Sequence, residues 1–267
     1  MRIAWLTDIH LDWLEAPAID RLCEVVCAGE PEAVLISGDI SLAERIERDL
    51  LHLERRILRP IHFVLGNHDY YGGSFAEVRA AVETLSRSSK HLRWLTAGGV
   101  IGLTPRTGLI GHDSWADGRL GDYANSPVIL NDYLLIKDLA ATWPDPDERL
   151  KRLNALGDDA AGFLDRLLPE GLQKFEELIL LTHVPPFEAA CWHEGRISDK
   201  DWLPHFTCKA VGEVLVRRMQ ERPDRHLTVL CGHTHGRGVA QILPNLLVRT
   251  GGAVYGNPKV EAFIDLT

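Results

Sequence analysis

Short apolar runs, each stopped by a polar cluster, recur along the chain. Ile3-Ala4-Trp5-Leu6 runs into Asp8-Ile9-His10, Ala33-Val34-Leu35-Ile36 into Gly38-Asp39, and Ile61-His62-Phe63-Val64-Leu65 into Gly66-Asn67-His68-Asp69. Later, Leu178-Ile179-Leu180-Leu181 ends at Thr182-His183 and Leu227-Thr228-Val229-Leu230 at Gly232-His233-Thr234-His235. The runs are short, apolar and partly β-branched, which predicts buried strands. Between the first of them the pattern turns helical. A helix is expected near Ala18 to Ala28, with Pro17 at its start. A second is expected from about Leu42 to Leu58, stopped by Pro60, and a third from a Ser74 cap to about Leu85.

From Leu92 to Ile110, apolar runs separated by Gly predict strands of a second sheet. The stretch from Asp113 to Leu168 interrupts it, with helices expected over Asp132–Ala141 and Glu148–Leu168. Strands return at Leu178, Leu227, Val239, Leu246 and Val260, with one helix from about Cys208 to Arg222. No repeat, low-complexity tract or linker divides the chain. The simplest organisation is one domain over 1–267, of α/β class, carrying a mainly helical insertion at about 113–170. Side chains at the C-terminal ends of neighbouring strands converge on one crevice, where open α/β sheets bind their ligands.

At 267 residues, 45% hydrophobic and 25% charged, the chain is long enough to bury a sizeable core. A net charge of -9 argues against broad binding to nucleic acid or anionic membranes. The first strand begins almost at Met1, leaving no room for a signal peptide, and no apolar run is long enough for a membrane span. Five Cys with no C-x-x-C pair argue against a disulfide framework. The expectation is a cytoplasmic, reduced protein. Cys23 and Cys27, four apart on a helix, read as two small buried residues, and Cys231 as core at the end of its strand. No phosphate-binding glycine motif appears, so no nucleotide cofactor is expected.

The polar clusters supply two Asp (Asp8, Asp39), one Asn (Asn67) and four His (His10, His183, His233, His235) of metal-ligating type, with His68 as a further His. Such a set suits a two-metal hydrolase, which requires a nucleophile at neutral pH, stabilised charge on the group attacked and a proton for the leaving group. Two divalent metals about 3.5–4 Å apart, sharing a hydroxide, supply the first two. In extended backbone, side chains two apart point the same way, which would aim Asp8 with His10, and His233 with His235, at one pocket. Gly38, Gly66 and Gly232 precede ligands where a Cβ would crowd a tight turn. A donor set without Cys favours Mn, Fe or Zn over a structural thiolate zinc site. Alone, His183 would read as a hydrogen-bonded strand-end residue and Asp39 as a helix cap. His52, His62, His91, His112, His193, His205 and His226 have no motif and read mostly as structural or surface residues.

D-x-H, G-D, G-N-H-D, a lone His and G-H-x-H, in that order from Asp8 to His235, resemble the calcineurin-like metallophosphoesterases. Any one motif would be weak; five in order after predicted strands are not. The resemblance implies a four-layer αββα sandwich of two mixed β-sheets flanked by helices, with the metal site at the C-terminal ends of the strands. It implies that Asp8, His10 and His235 hold one metal, Asn67, His183 and His233 the other, and Asp39 bridges them. The matching His in the family protonates the leaving oxygen, so His68 is expected as general acid. Asp69 either holds that imidazole or anchors the loop.

The implied activity is hydrolysis of a phosphate mono- or diester, on a small phosphorylated molecule or nucleotide. The protein-phosphatase branch has an Arg soon after G-D and a Glu after G-N-H. Here Ile40-Ser41-Leu42 and Asp69 stand instead, which disfavours that branch. Arg237, Trp115, Arg119 and Arg196 are the candidate substrate contacts, with Tyr123 and Trp192 in the same loops. A nuclease acting on nucleic-acid ends is the alternative enzyme and would need a basic groove. A non-catalytic scaffold of the same fold is the third reading, disfavoured because all seven ligands and His68 are present.

Overall fold

The computed structural model describes residues 1–267, and the apolar runs form its strands. Four strands open one sheet: β1 (Arg2–Leu6), β2 (Ala33–Ser37), β3 (Ile61–Val64) and β4 (Leu92–Trp94). A second sheet takes β5 (Ile101–Gly102), β6 (Thr107–Gly111) and β7 (Glu177–Leu181). A small hairpin follows, of β8 (Trp192–His193) and β9 (Arg196–Ile197). The second sheet then resumes with β10 (His226–Cys231), β11 (Gly238–Leu243) and β12 (Leu246–Thr250), and β13 (Ala262–Asp265) returns to the first.

The first sheet has the order β13-β1-β2-β3-β4 and the second β11-β12-β10-β7-β6-β5. Their central strands are parallel. β13, β11 and β5 are antiparallel edges. Both sheets are therefore mixed, as expected.

The helices in chain order are α1 (Ala16–Ala28), α2 (Ile46–Ile57), α3 (Phe75–Ser88), α4 (Asp132–Leu135), α5 (Lys137–Ala140), α6 (Pro146–Lys174), α7 (Leu203–Phe206) and α8 (Lys209–Glu221). Alternation within the strands decides the layers. Ile3 and Trp5 of β1 meet Ile179, Leu181 and Leu230 of the other sheet, while Ala4 and Leu6 turn to the helices. Burial on both faces is why these strands read as continuous apolar runs. On α2, Ile46, Leu50, Leu53 and Ile57 follow the helical period and bury against β2 and β3 residues such as Ile36 and Phe63. Each such side chain contributes about 1.5–3 kcal/mol of burial. α6 and α8 cover the second sheet through Ala160, Leu164, Leu168, Val211 and Leu215. The result is four layers, helices on sheet on sheet on helices.

Several boundaries differ from the sequence reading. α2 starts at Ile46, because Leu42–Arg45 forms a turn whose carbonyl at Leu42 receives the amides of Arg45 and Ile46. β4 joins the first sheet, since α3 carries the chain over to a parallel neighbour of β3. α3 begins at a full capping box between Ser74 and Glu77. α6 runs on through Pro169 to Lys174, because Leu168, Gly171 and Leu172 bury against the sheet. It links the parallel neighbours β6 and β7 and so serves as their crossover helix. Cys23 is buried but Cys27 is exposed at the end of α1, so the two do not share a buried face. No helix is long and apolar enough to cross a membrane.

The segment before α6 shapes the site. Its Tyr133, Ile136 and Leu139 bury in the cluster around Tyr70 and Phe75. Its backbone is tied to the loop after β3: the Gly72 amide donates to the Leu135 carbonyl and the Lys137 amide to that of Gly73.

Candidate metal centre

The ligand-type residues leave the C-terminal ends of β1, β2, β3, β7 and β10, so both sheets contribute. Their backbone is not extended. Asp8 (φ 48), His10 (φ 40), Asp39 (φ 51), His233 (φ 71) and His235 (φ 56) all lie in the left-handed region. This corrects the reason given for Asp8 with His10 and His233 with His235: local turns, not strand alternation, aim them together. Non-glycine residues held there cost about 1–3 kcal/mol each and persist where surrounding bonds over-determine them. Those bonds are present. The Asp8 amide donates to the Gly38 carbonyl and the His10 amide to that of Asp39, both at 3.0 Å. The His233 amide donates to Asp8 Oδ1 at 2.9 Å. The glycines matter through close approach. A Cβ at Gly66 would lie 2.2 Å from Asp39 Oδ1, and one at Gly232 would lie 2.0 Å from Asp8 Oδ2.

Ligand atoms of Asp8, His10, Asp39 and His235 all lie within 4.8 Å of one another. Asp39 reaches the second group as well, with Oδ1 3.3 Å from His183 Nε2 and Oδ2 3.9 Å from His10 Nε2. In that second group Asn67 Oδ1 stands 2.9 Å from both His183 Nε2 and His233 Nδ1.

Hydrogen-bond chemistry makes this second cluster informative. His183 Nδ1 faces the Ser37 carbonyl at 2.9 Å and His233 Nε2 the His205 carbonyl at 3.1 Å. Carbonyls only accept, so those nitrogens carry the protons. Asn67 Nδ2 donates to Asp132 Oδ1 at 2.8 Å, which turns the amide oxygen inward. Burial holds both rings neutral, lowering His183 and bringing His233 to about 3. Two lone-pair nitrogens and a carbonyl oxygen therefore face one another, acceptors without a donor. A cation between them resolves this, so the residues fit a metal.

The first cluster behaves alike. Burial takes His10 down to about 2 and His68 to about 3. Burial, with the charges of Asp8 and Asp69, drives Asp39 well above the usual carboxylate range. For Asp8 burial opposes ionisation, but His235, His183 and His10 hold it low. Crowded carboxylates and neutral imidazoles are the donor set of a divalent cation.

His68 is the most accessible ring of those with depressed values here; its side chain keeps 16% of its exposure, against 1% for His10 and His183. Its amide donates to Asp39 Oδ1 at 2.9 Å and its Nε2 lies 4.0 Å from Asp39 Oδ2. Asp69 does not touch the imidazole through any hydrogen bond. Its carboxylate accepts the amides of Ile40, Ser41 and Gly66 at 2.7–2.8 Å, tying the loop after β2 to the loop after β3.

The cavity at this centre measures about 260 Å³ and is lined by Asp39, Asn67, His68, Tyr71, Leu130, Asn131, Asp132, His193, Phe206, His233, Thr234, His235 and Tyr255. None of the four expected substrate contacts lines it. Trp115 is buried, edge-on to Tyr70 and Phe75. Arg119 is engaged by Asp117 and Asp158, the latter on α6. Arg196 sits exposed on β9. Arg237 is paired with the buried carboxylate of Glu261 at 2.9 Å. Carboxylates or packing claim Trp115, Arg119 and Arg237, which the sequence could not show, and Arg196 stands exposed outside the cavity lining.

Three residues at the site carry no sequence signal. Asp132 on α4 receives both Asn67 Nδ2 and the Tyr71 hydroxyl. Tyr255, in the turn after β12, lies over His10 and His235 with ring centroids 4.5 and 4.9 Å apart. His193, read as structural or surface, forms part of the wall, its Nδ1 3.0 Å from the Thr234 carbonyl.

The calcineurin-like phosphoesterase family matches residues 1–237 of the chain. Among solved structures, the phosphopantetheinyl hydrolase of Mycobacterium tuberculosis superposes with a TM-score of 0.62 at 15% identity, over 94% of this chain and 89% of that one. A dimetal phosphatase from Danio rerio does so with 0.61 at 13%, over 97% and 89%. The GAP50 anchor in the inner membrane complex of Plasmodium gives 0.53 at 12%, over 98% and 77%. At these identities the structural likeness shows the fold alone. No curated protein matches the chain.

Proposed function

The chain belongs to the calcineurin-like phosphoesterase family, and on that premise we propose that it hydrolyses a small phosphodiester at a dinuclear centre. Asp8, His10 and His235 would hold one divalent ion and Asn67, His183 and His233 the other, with Asp39 shared. Mn, Fe or Zn suits these nitrogen and oxygen donors. The ions, when bound, would supply Lewis acidity and a nucleophile at neutral pH. The chain's own residues do the rest. The loops anchored by Asp69 hold Asp39 and Asn67 in place. His68, at the open side of the cavity, takes up a proton when an anionic phosphate binds beside it, against the burial that otherwise keeps the ring neutral, and delivers it to the leaving oxygen. Tyr71, buried beside His68 with ring centroids 4.3 Å apart, keeps that imidazole facing the cavity.

One observation carries the choice of diester: no Lys or Arg lines the cavity. A dianionic monoester or a polyphosphate would have no side-chain cation to meet its extra charge, whereas a diester brings one negative charge. The same absence weighs against a nuclease, which needs a basic track for the backbone. The five free thiols suit a reducing compartment.

The test is hydrolysis of p-nitrophenyl phosphate and bis-p-nitrophenyl phosphate by metal-stripped protein reloaded with Mn²⁺. Metal-dependent turnover that is faster on the diester is expected. A preference for the monoester would reverse the substrate assignment. His68→Ala should retain its metal while losing roughly 10²–10⁴-fold in turnover of alkyl esters. Full activity of that variant on alkyl esters would remove His68 from the mechanism.

A further inference from the structure

Trp13 is 62% exposed and Tyr255 is 42% exposed, although both are large aromatic side chains. They lie side by side, ring centroids 5.1 Å apart and planes tilted by 39°. Tyr255 is also packed on the metal-side rings, 4.5 Å from His10, and its hydroxyl is 3.4 Å from His68 Nε2. The pair therefore forms a wall that starts at the metal centre and continues outward to Trp13.

The turn carrying Tyr255 is built to stay there. The Ala253 amide donates to the carbonyl of His235, and the Asn257 amide to that of Val254. Glu261 Oε2 accepts the Gly252 amide at 3.1 Å and the Arg237 guanidinium at 2.9 Å. Arg237 thus braces this turn. These four bonds fix the turn, and the ring it carries packs one side on His10 and His235 while remaining 42% exposed.

Its direction matters. The group expelled from phosphorus leaves beside the acid that protonates it, which on the proposed reading is His68. One flank of His68 is closed by Tyr71, which is buried and bonded to Asp132. The other flank leads along Tyr255. We infer that Trp13 and Tyr255 form the leaving-group subsite, a stacking surface for a planar aromatic group attached to the scissile oxygen. The inference rests on the phosphodiesterase reading and deepens it. Stacking of a flat ring on such a surface is worth about 1–3 kcal/mol, or roughly 5- to 150-fold in kcat/KM if it is made in the transition state.

The experiment compares methyl 2-naphthylmethyl phosphate with its fully saturated decalin counterpart, which has the same phosphate, carbon skeleton and a leaving alcohol of similar acidity. Wild-type protein should favour the flat ester by roughly 5- to 150-fold in kcat/KM. The ratio should collapse towards one in Trp13→Leu and Tyr255→Leu, and persist in Tyr255→Phe. The ratio is the readout because a merely structural defect would lower both rates together. 2-Naphthylmethanol should also quench tryptophan fluorescence in the wild type and not in Trp13→Leu. A wild-type ratio near one, or a ratio untouched by Trp13→Leu, overturns the subsite while leaving the diesterase reading intact. Failure to hydrolyse either ester or bis-p-nitrophenyl phosphate in the metal-loaded protein overturns the parent reading, and this inference with it.

Discussion

Asn67 is held by its amide nitrogen, which turns its oxygen inward to where the proposed metal would bind. Asp132 and the Tyr71 hydroxyl lie 2.8 and 3.2 Å from that nitrogen, and an amide free to flip would present the wrong atom half the time. Asp132→Ala should weaken metal binding at this site by about 10–100-fold, the range for outer-shell partners. Asp132→Asn keeps an accepting oxygen and should restore most of it. Isothermal titration of metal-stripped protein with Mn²⁺ measures both; equal affinity in wild type and the Ala variant would deny Asp132 this positioning role. The seven residues proposed as ligands were legible as a group because each sits in a short motif at the end of an apolar run. Asp132 and Tyr255 were not. They meet Asn67 and His68 across 65 and 187 residues of sequence, and nothing local to either marks the encounter. That Arg119 and Arg237 stand outside the cavity lining was not legible either, for a related reason: a sequence shows a guanidinium but not the carboxylate already holding it.

At the level of elements, β6 ends in a carboxylate that fastens the two sheets together. Asp113 accepts the Leu65 amide after β3 at 2.8 Å, the Trp94 indole at the end of β4 at 2.9 Å, and the Thr96 and Tyr70 hydroxyls at 2.7 and 2.9 Å. It is buried, so removing it strands four donors. Asp113→Ala should cost about 3–5 kcal/mol, read from urea unfolding of the metal-free protein. Asp113→Asn should cost clearly less, and a loss under about 1 kcal/mol in the Ala variant would show that water replaces the carboxylate. The main buried strands were readable from two-sided burial, though not their pairing, and α3 from its Ser74 cap. Element ends were less so where packing overrode a local rule, as when α6 continued through Pro169. β4 was assigned to the wrong sheet because a three-residue strand has no periodicity to say which neighbour it pairs with.

For the whole molecule, the centre draws Asp8, Asp39 and Asn67 from the first sheet and His10 beside them, but His183, His233 and His235 from the second. Ions bound there join the two sheets only in the folded state. At a free concentration of 100 times its Kd each ion should add about 2.7 kcal/mol, roughly 5–10 °C in Tm for a chain of this size. Calorimetry with Mn²⁺ against EDTA checks this, and Asp39→Ala should abolish the shift; an equal shift in that variant would place the ions elsewhere. The division of ligands between the sheets has one more consequence. A cut in the exposed Gly98-Gly99 turn would leave one fragment with Asp8, His10, Asp39 and Asn67, and another with the three remaining histidines and β13, the edge partner of β1. Neither piece would own a complete coordination sphere. Mixed together, they would become a two-component complementation system in which a divalent ion adds to the apolar seam between the sheets in setting how tightly the halves stay joined.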